Sequence, residues 1–226
     1  MLFANYLPTN DFTSSLYLAA EADHPEGPFL TSNPTVNLTN AQPGDGKLFV
    51  DFDGTGYYVY TSIAMGHQIV VEMLTANYLH SKGFKSNVMS LGCLEAPSMI
   101  RHEPSELYFV FASFCCCYCG QGGDVAVFVA DNPLGPFSLS SYINSKMASG
   151  KREIIIPAQQ TNVLAVRRPD NGLQYIWIGD RWQSAPDHLK AHDFTYWGPL
   201  EVHFDKDGIK FPVMEWKDNF TVMLHD

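Results

Sequence analysis

The stretch Val125-Ala126-Val127-Phe128-Val129-Ala130-Asp131-Asn132-Pro133-Leu134-Gly135-Pro136-Phe137 is an apolar run that stops abruptly in a turn. Six consecutive apolar residues, rich in valine and bounded by Asp, Pro and Gly, read as a strand. The same punctuation occurs earlier, at Ala22-Asp23-His24-Pro25-Glu26-Gly27-Pro28-Phe29. In each copy an apolar strand precedes Ala-Asp, and a Gly-Pro-Phe turn follows. A strand–turn–strand pattern that returns in this way marks a four-stranded unit of roughly 45–60 residues, near the period of a propeller blade. Units fall at about 1–40, 41–90, 91–150 and 151–204, with a tail at 205–226.

Outward from these turns, strand-like runs recur at 47–52, 57–61, 107–112 and 175–178, all rich in β-branched and aromatic residues. Asp53-Gly54, Asn171-Gly172 and Asp207-Gly208 supply turn signals between runs. The one helix-like stretch, 69–79, is read as a strand followed by a loop. Segments 30–46 and 138–152 read as surface connections. The fold class expected is all-β, a propeller-type single domain over 1–226.

Composition agrees. Of 226 residues, 46% are hydrophobic and 17% charged, enough apolar content for a packed core. Aromatics at 13%, with 17 Gly and 14 Pro, favour strands joined by turns. The formal net charge is −10, which argues against nucleic acid and against anionic membranes as partners. No apolar run is long enough for a transmembrane helix. The first residues, Met1-Leu2-Phe3-Ala4-Asn5-Tyr6, lack the basic segment and long apolar core of a signal peptide.

Five cysteines include a cluster at Cys115, Cys116, Cys117 and Cys119, with Cys93 apart. No second C-x-x-C accompanies Cys116-x-x-Cys119, so thiols or local disulfides in a tight loop are expected rather than zinc. His188 and His192 are four residues apart but lie in a loop-like stretch, and no metal is expected there. The sequons Asn37-Leu38-Thr39 and Asn219-Phe220-Thr221 are close to chance for this length.

Four further segments carry a family likeness. They are Leu94-Glu95-Ala96-Pro97-Ser98-Met99, Phe49-Val50-Asp51-Phe52-Asp53-Gly54-Thr55-Gly56-Tyr57, Ala158-Gln159-Gln160-Thr161 and Ile178-Gly179-Asp180-Arg181-Trp182. Together, in order and spacing, they resemble glycoside hydrolase family 43, the five-bladed β-propeller glycosidases, and its exo-β-1,3-galactanase-like, galactan-acting branch. The likeness runs from about residue 3 to 221. It implies hydrolysis of a polysaccharide, with a β-galactan as first choice, by an inverting mechanism. It also implies a monomer, no organic cofactor and an extracellular place for the full-length protein. Some relatives hold a cation in the central channel, a point these residues leave open. Four blades are counted where the family has five, and the absent one is the first. The chain is therefore expected to be N-terminally incomplete and, alone, a weak enzyme or none. The alternative from another class is a carbohydrate-binding or degenerate propeller without turnover.

The likeness also assigns roles. Its Glu-Ala-Pro segment carries the general acid, which implies Glu95; the residue alone reads more readily as a surface glutamate at a strand start, and the surrounding motifs reverse that order. A carboxyl between Leu94 and Ala96-Pro97 can be held in a poorly solvated pocket, which would keep it protonated. Asp45, six residues before Asp51, stands where the family places an aspartate that orients the acid. The family pattern there is Arg-Asp-Met, whereas this chain has Gly44-Asp45-Gly46, which also reads as a turn. Asp51 and Asp53 read as caps of the Asp53-Gly54 turn. Gln159 corresponds to the branch's glutamine, able to position water or a sugar hydroxyl. Gln160 could equally be the inward residue, since strand side chains alternate faces, but Gln159 is preferred because the family's glutamine precedes Thr by two. Trp182 can stack on a sugar ring and Arg181 can offer forked hydrogen bonds, or the segment can be purely structural. Asp45, Glu95 and Gln159 are expected to converge on one pocket at the propeller axis.

Overall fold

Runs of β-branched and aromatic residues cut by Gly, Pro and Asp dictate short strands, and the described residues form eighteen of them. The computed structural model describes all residues except 10, 41, 117, 118, 188–193, 206, 207, 225 and 226. Among the described residues there is no α-helix, only two single-turn 3-10 segments. No helix is long and apolar enough to cross a membrane. The chain forms two compact units, Met1–Pro97 with Ala130–Phe137, and Ser98–Val129 with Ser138–Asp226.

The first unit holds two antiparallel sheets. One is β1 (Leu2–Tyr6), β2 (Leu16–Glu21) and β3 (Leu30–Asn33) in that order; the other is β4 (Pro43–Val50), β5 (Gly56–Ser62), β6 (Gln68–Leu74) and β7 (Ser81–Lys85). The stretch 69–79 is a strand and a turn, as expected. The core is tyrosine-rich: the Tyr58 ring sits 4.8 Å from Phe3 and 4.9 Å from Tyr17. Burial lifts the Tyr17, Tyr58 and Tyr60 phenols well above their usual range, so all three remain hydrogen-bond donors.

Among these rings lies Glu72, which is completely buried. Its carboxyl accepts from the Thr39 amide at 3.0 Å, the Thr39 hydroxyl at 2.5 Å and the Tyr60 hydroxyl at 2.9 Å, as well as from Ser81. One side chain thereby ties the connection after β3 to β5, β6 and β7.

Strand β8 (Leu94–His102) starts in the first unit and continues into the second. It belongs to a sheet ordered β11-β10-β9-β8, with β9 (Leu107–Phe114), β10 (Val125–Ala130) and β11 (Ser138–Tyr142). A two-stranded hairpin, β12 (Ser145–Ala148) and β13 (Lys151–Ile154), follows. Next come a three-stranded sheet, β14 (Gln159–Arg167), β15 (Leu173–Asp180) and β16 (Thr195–Leu200), and a short pair, β17 (His203–Asp205) and β18 (Gly208–Lys210). Phe211 fills the second unit's core, in edge contact with Phe109 at 4.9 Å and Phe111 at 5.0 Å. The stretch set apart as a tail thus supplies core residues, Phe211 and Met214.

Buried Asp124 does for this unit what Glu72 does for the first. It accepts from Arg152 at 2.8 Å, the Ser145 hydroxyl at 2.6 Å and the amides of Val125 and Asn144. Asn144, fully buried, then bonds Gly123 and Ile156.

The repeated turns are superimposable in kind. Gly27 and Gly135 both have positive φ, both donate to the carbonyl three residues back, and both precede a cis proline. Two expectations fail. Segments 30–46 and 138–152 are not mere connections, because they contain β3, the start of β4, β11 and β12. β3 and β11 are outer strands whose exposed polar side chains imitate a loop. Asp207 of the third turn signal lies outside the described residues.

Two outcomes follow from these buried groups. Glu72→Ala leaves several buried donors without their acceptor, each costing about 1–3 kcal/mol. Urea denaturation is expected to register a loss of roughly 3 kcal/mol or more, and the same loss for an exposed control such as Glu26→Ala would refute the role. His102, at the end of β8, is buried with Nδ1 2.8 Å from the Ser105 hydroxyl. Burial holds its pKa below the usual value, only partly offset by the charge of Glu103. The unfolded chain therefore takes up the proton first. The contribution of His102 is complete above about pH 6.5 and falls away as pH drops through the folded value. Stability of His102→Gln is expected to decline less steeply between about pH 7 and 5 than that of the parent.

Candidate active site

Glu95 is the second residue of β8 and is 8% exposed, between buried Leu94 and Ala96. A surface position at a strand start is therefore excluded. The residue after it, Ala96, has φ +50, a left-handed conformation unusual for a residue with a Cβ. The Ala96 amide donates to Asp45 Oδ2 at 3.2 Å. The sequence-predicted pair Asp45 and Glu95 is thus brought together through the peptide that follows the glutamate.

Asp45 reaches that amide because Gly44-Asp45-Gly46 is not a turn. It lies within β4, where Pro43 pairs with Ser62 and Gly46 with Tyr60, so two residues face one across the ladder. Such a bulge re-aims a side chain. Gly44 accepts from the Tyr17 hydroxyl, and Gly46 packs under the Tyr58 ring, where a Cβ would come within 2.7 Å of the ring and hydroxyl. The Asp45 charge adds to burial in lifting the Tyr17 and Tyr58 phenols.

His67 is a neighbour that the sequence reading missed. Its Nδ1 stands 3.8 Å from Glu95 Oε2, and its carbonyl accepts from the Leu94 amide at 2.8 Å. It occupies the tip of the β5–β6 hairpin with φ +57. The only usable signal was topological: pairing β4 with β5 puts that tip at the same end as Asp45. Asp51 and Asp53 cap their turn as expected, through bonds to the Phe52 and Thr55 amides.

In the second unit, Gln159 and Gln160 open β14 and are both buried. Their side chains serve different tryptophans. Gln159 Oε1 accepts from Trp182 Nε1 at 2.8 Å, and Gln160 Oε1 accepts from Trp177 Nε1 at 3.1 Å. The first joins two candidates from separate motifs. The second binds Gln160 to the fully buried Trp177 of the core. Arg181 is held by the Ser184 carbonyl and hydroxyl and lies 5.2 Å over the Trp216 ring. Trp182 is half-buried. Cys115 follows β9 directly, and Cys116 is disulfide-bonded to Cys119. Cys117, His188 and His192 lie outside the described residues.

The sequence profile described as glycosyl hydrolases family 43 matches residues 2–176. The chain belongs to this family. No curated protein matches it. Among solved structures it is similar to a GH43 β-1,3-galactosidase, with TM-score 0.64 and 21% identity over 89% of this chain and 39% of that one. It is also similar to an exo-β-1,3-galactanase from Clostridium thermocellum, with TM-score 0.69 and 20% identity over 93% and 45%. A glutamate-to-glutamine variant of the Phanerochaete chrysosporium exo-β-1,3-galactanase, solved with β-1,3-galactotriose, gives TM-score 0.64 and 22% identity over 92% and 44%. The family-43 chain thus spans less than half the length of these relatives. At such identities the likeness establishes the fold, that of a family-43 propeller in part.

Removal of the Asp45 acceptor is expected to loosen the backbone under Glu95. Asp45→Ala should cost about 0.5–1.5 kcal/mol in urea denaturation. Asp45→Asn, which keeps a side-chain oxygen, should recover most of it. Equal loss in both variants would show that the bond to Ala96 is not what Asp45 contributes.

Proposed function

We propose that this family-43 chain carries the acid side of a glycosidase site that hydrolyses a β-galactan with inversion. The observation that carries the reading is the buried Glu95, fixed on β8 by the bond from the next amide to Asp45. Hydrolysis of a glycosidic bond needs a proton on the leaving oxygen and an activated water on the opposite face of the sugar. Glu95 is assigned the proton. Asp45 is assigned its positioning, through the Ala96 peptide and its negative charge.

Gln159 is assigned the orientation of water or of a sugar hydroxyl. Its Oε1 accepts from Trp182, which fixes the amide in one sense. An amide is too weak a base to take the proton itself, so its contribution is geometric. Trp182 is assigned a stacking face for the sugar. Gln160 and Arg181 fit supporting roles, since each is bonded to a neighbour, Trp177 and Ser184 respectively. The substrate is a neutral oligo- or polysaccharide, in keeping with relatives named for β-1,3-galactan and with one solved with β-1,3-galactotriose. The reading takes 1–226 as part of one propeller domain, acting as a monomer without an organic cofactor.

The test is Glu95→Gln in the full-length protein. General acid catalysis contributes about 10²–10⁴-fold. Turnover of β-1,3-galactan is expected to fall by that factor, while an aryl galactoside with an activated leaving group is spared. Unchanged hydrolysis of the polysaccharide would overturn the assignment.

A further inference from the structure

The β14–β16 sheet has two ends. Gln159 pairs with Asp180 at one and Arg167 with Leu173 at the other, eight steps along the strand, or roughly 26 Å at about 3.3 Å per residue. The far end opens into a cleft of about 640 Å³. Its walls include His102, Arg168, Tyr175, Glu201, His203 and Phe204. None of these has a part in the site built around Gln159.

Three features of this cleft want a ligand. Tyr175 is only 3% exposed, yet its hydroxyl has no hydrogen-bond partner. A buried hydroxyl gives up water without return unless something else bonds it. Burial, with the charge of Glu103, pushes this phenol up to about 12, so it remains a donor at neutral pH. His102, its ring 6.1 Å from that of Tyr175, spends Nδ1 on Ser105, and among the described residues Nε2 makes no protein hydrogen bond. Phe204, 5.8 Å from the His102 ring, is 68% exposed, a large aromatic face left in water.

The charges indicate the class of ligand. The walls carry one guanidinium, Arg168, itself paired with Asp170, and one carboxylate, Glu201, 3.3 Å from His203, so neither sign is clustered there. That suits neither a phosphate nor a metal ion. A pyranose has an apolar C–H face for Phe204 and a rim of hydroxyls that both donate and accept, which matches a phenol, an imidazole nitrogen and a carboxylate. We propose that this cleft is a second saccharide site, binding a β-galactoside unit at the end of the sheet opposite Gln159. The proposal rests on the galactan reading above for the identity of the sugar. It adds a function, since two sites on one polymer raise the effective concentration of chain at each.

The test is a titration of the chain with β-1,3-galactotriose, followed by NMR. The His102 and His203 ring signals report the cleft, and the Trp182 indole N–H reports the Gln159 site. Shifts in both sets support both readings. Shifts in the histidine rings alone support the cleft and count against the Gln159 site. A shift in Trp182 alone, or in neither, overturns the cleft. Phe204→Ala and Tyr175→Phe are expected to weaken the histidine-reported binding about tenfold each and to leave the Trp182 response intact. Tyr175→Phe keeps the packing and removes only the orphan hydroxyl, so it should fold at least as stably as the parent. Undiminished binding in a stably folded Tyr175→Phe would refute the role of the hydroxyl.

Discussion

Each compact unit is organised around one buried carboxyl group. Glu72 and Asp124 are both sequestered from water, and each gathers donors from segments far apart in sequence. Hydrophobic burial already opposes a one-residue slip, which would turn every side chain to the wrong face, but a two-residue slip keeps the faces and needs a further lock. A carboxyl that needs particular donors at particular oxygens allows a single register. Glu72 relies on neutral partners, two hydroxyls, an amide and a phenol. Asp124 takes in Arg152 as well, whose guanidinium lies 4.3 Å over the Tyr142 ring. Both devices take a carboxyl out of water, a desolvation that the surrounding donors offset.

The site inherits this rigidity. Glu95 stands on a strand that leaves the first unit, and its geometry is set by a bulge in β4, a left-handed residue in β8 and the hairpin tip that carries His67. Each is a local departure from regular β structure. Regular strands present side chains alternately up and down, and no regular strand could bring an aspartate on β4 to the amide behind a glutamate on β8. Irregularity is therefore concentrated where side chains of two sheets must meet.

Much of the fold was legible because its cues are local. The Ala-Asp…Gly-Pro-Phe repeat, the Asp53-Gly54 and Asn171-Gly172 turns and the buried run at 125–130 all correspond to observed elements. Outer strands such as β3 and β11 were not legible, since half-exposed Ser and Thr carry no periodic signal. The candidate residues Glu95, Asp45 and Gln159 are legible through motif likeness, not through composition or spacing. The structure adds what no motif encodes: that Gly44-Asp45-Gly46 is a bulged strand, that Gln159 and Gln160 answer to different tryptophans, and that His67 stands beside Glu95. These depend on strand pairing across long sequence separations, which the one-dimensional pattern does not hold.

The contact between Gly46 and the Tyr58 ring has a bearing on how such chains diversify. A Cβ at residue 46 would overlap the phenol, so the two positions cannot vary independently. The pair behaves as a lock and its spacer: a side chain at residue 46 has room only once the ring at residue 58 is gone or turned away.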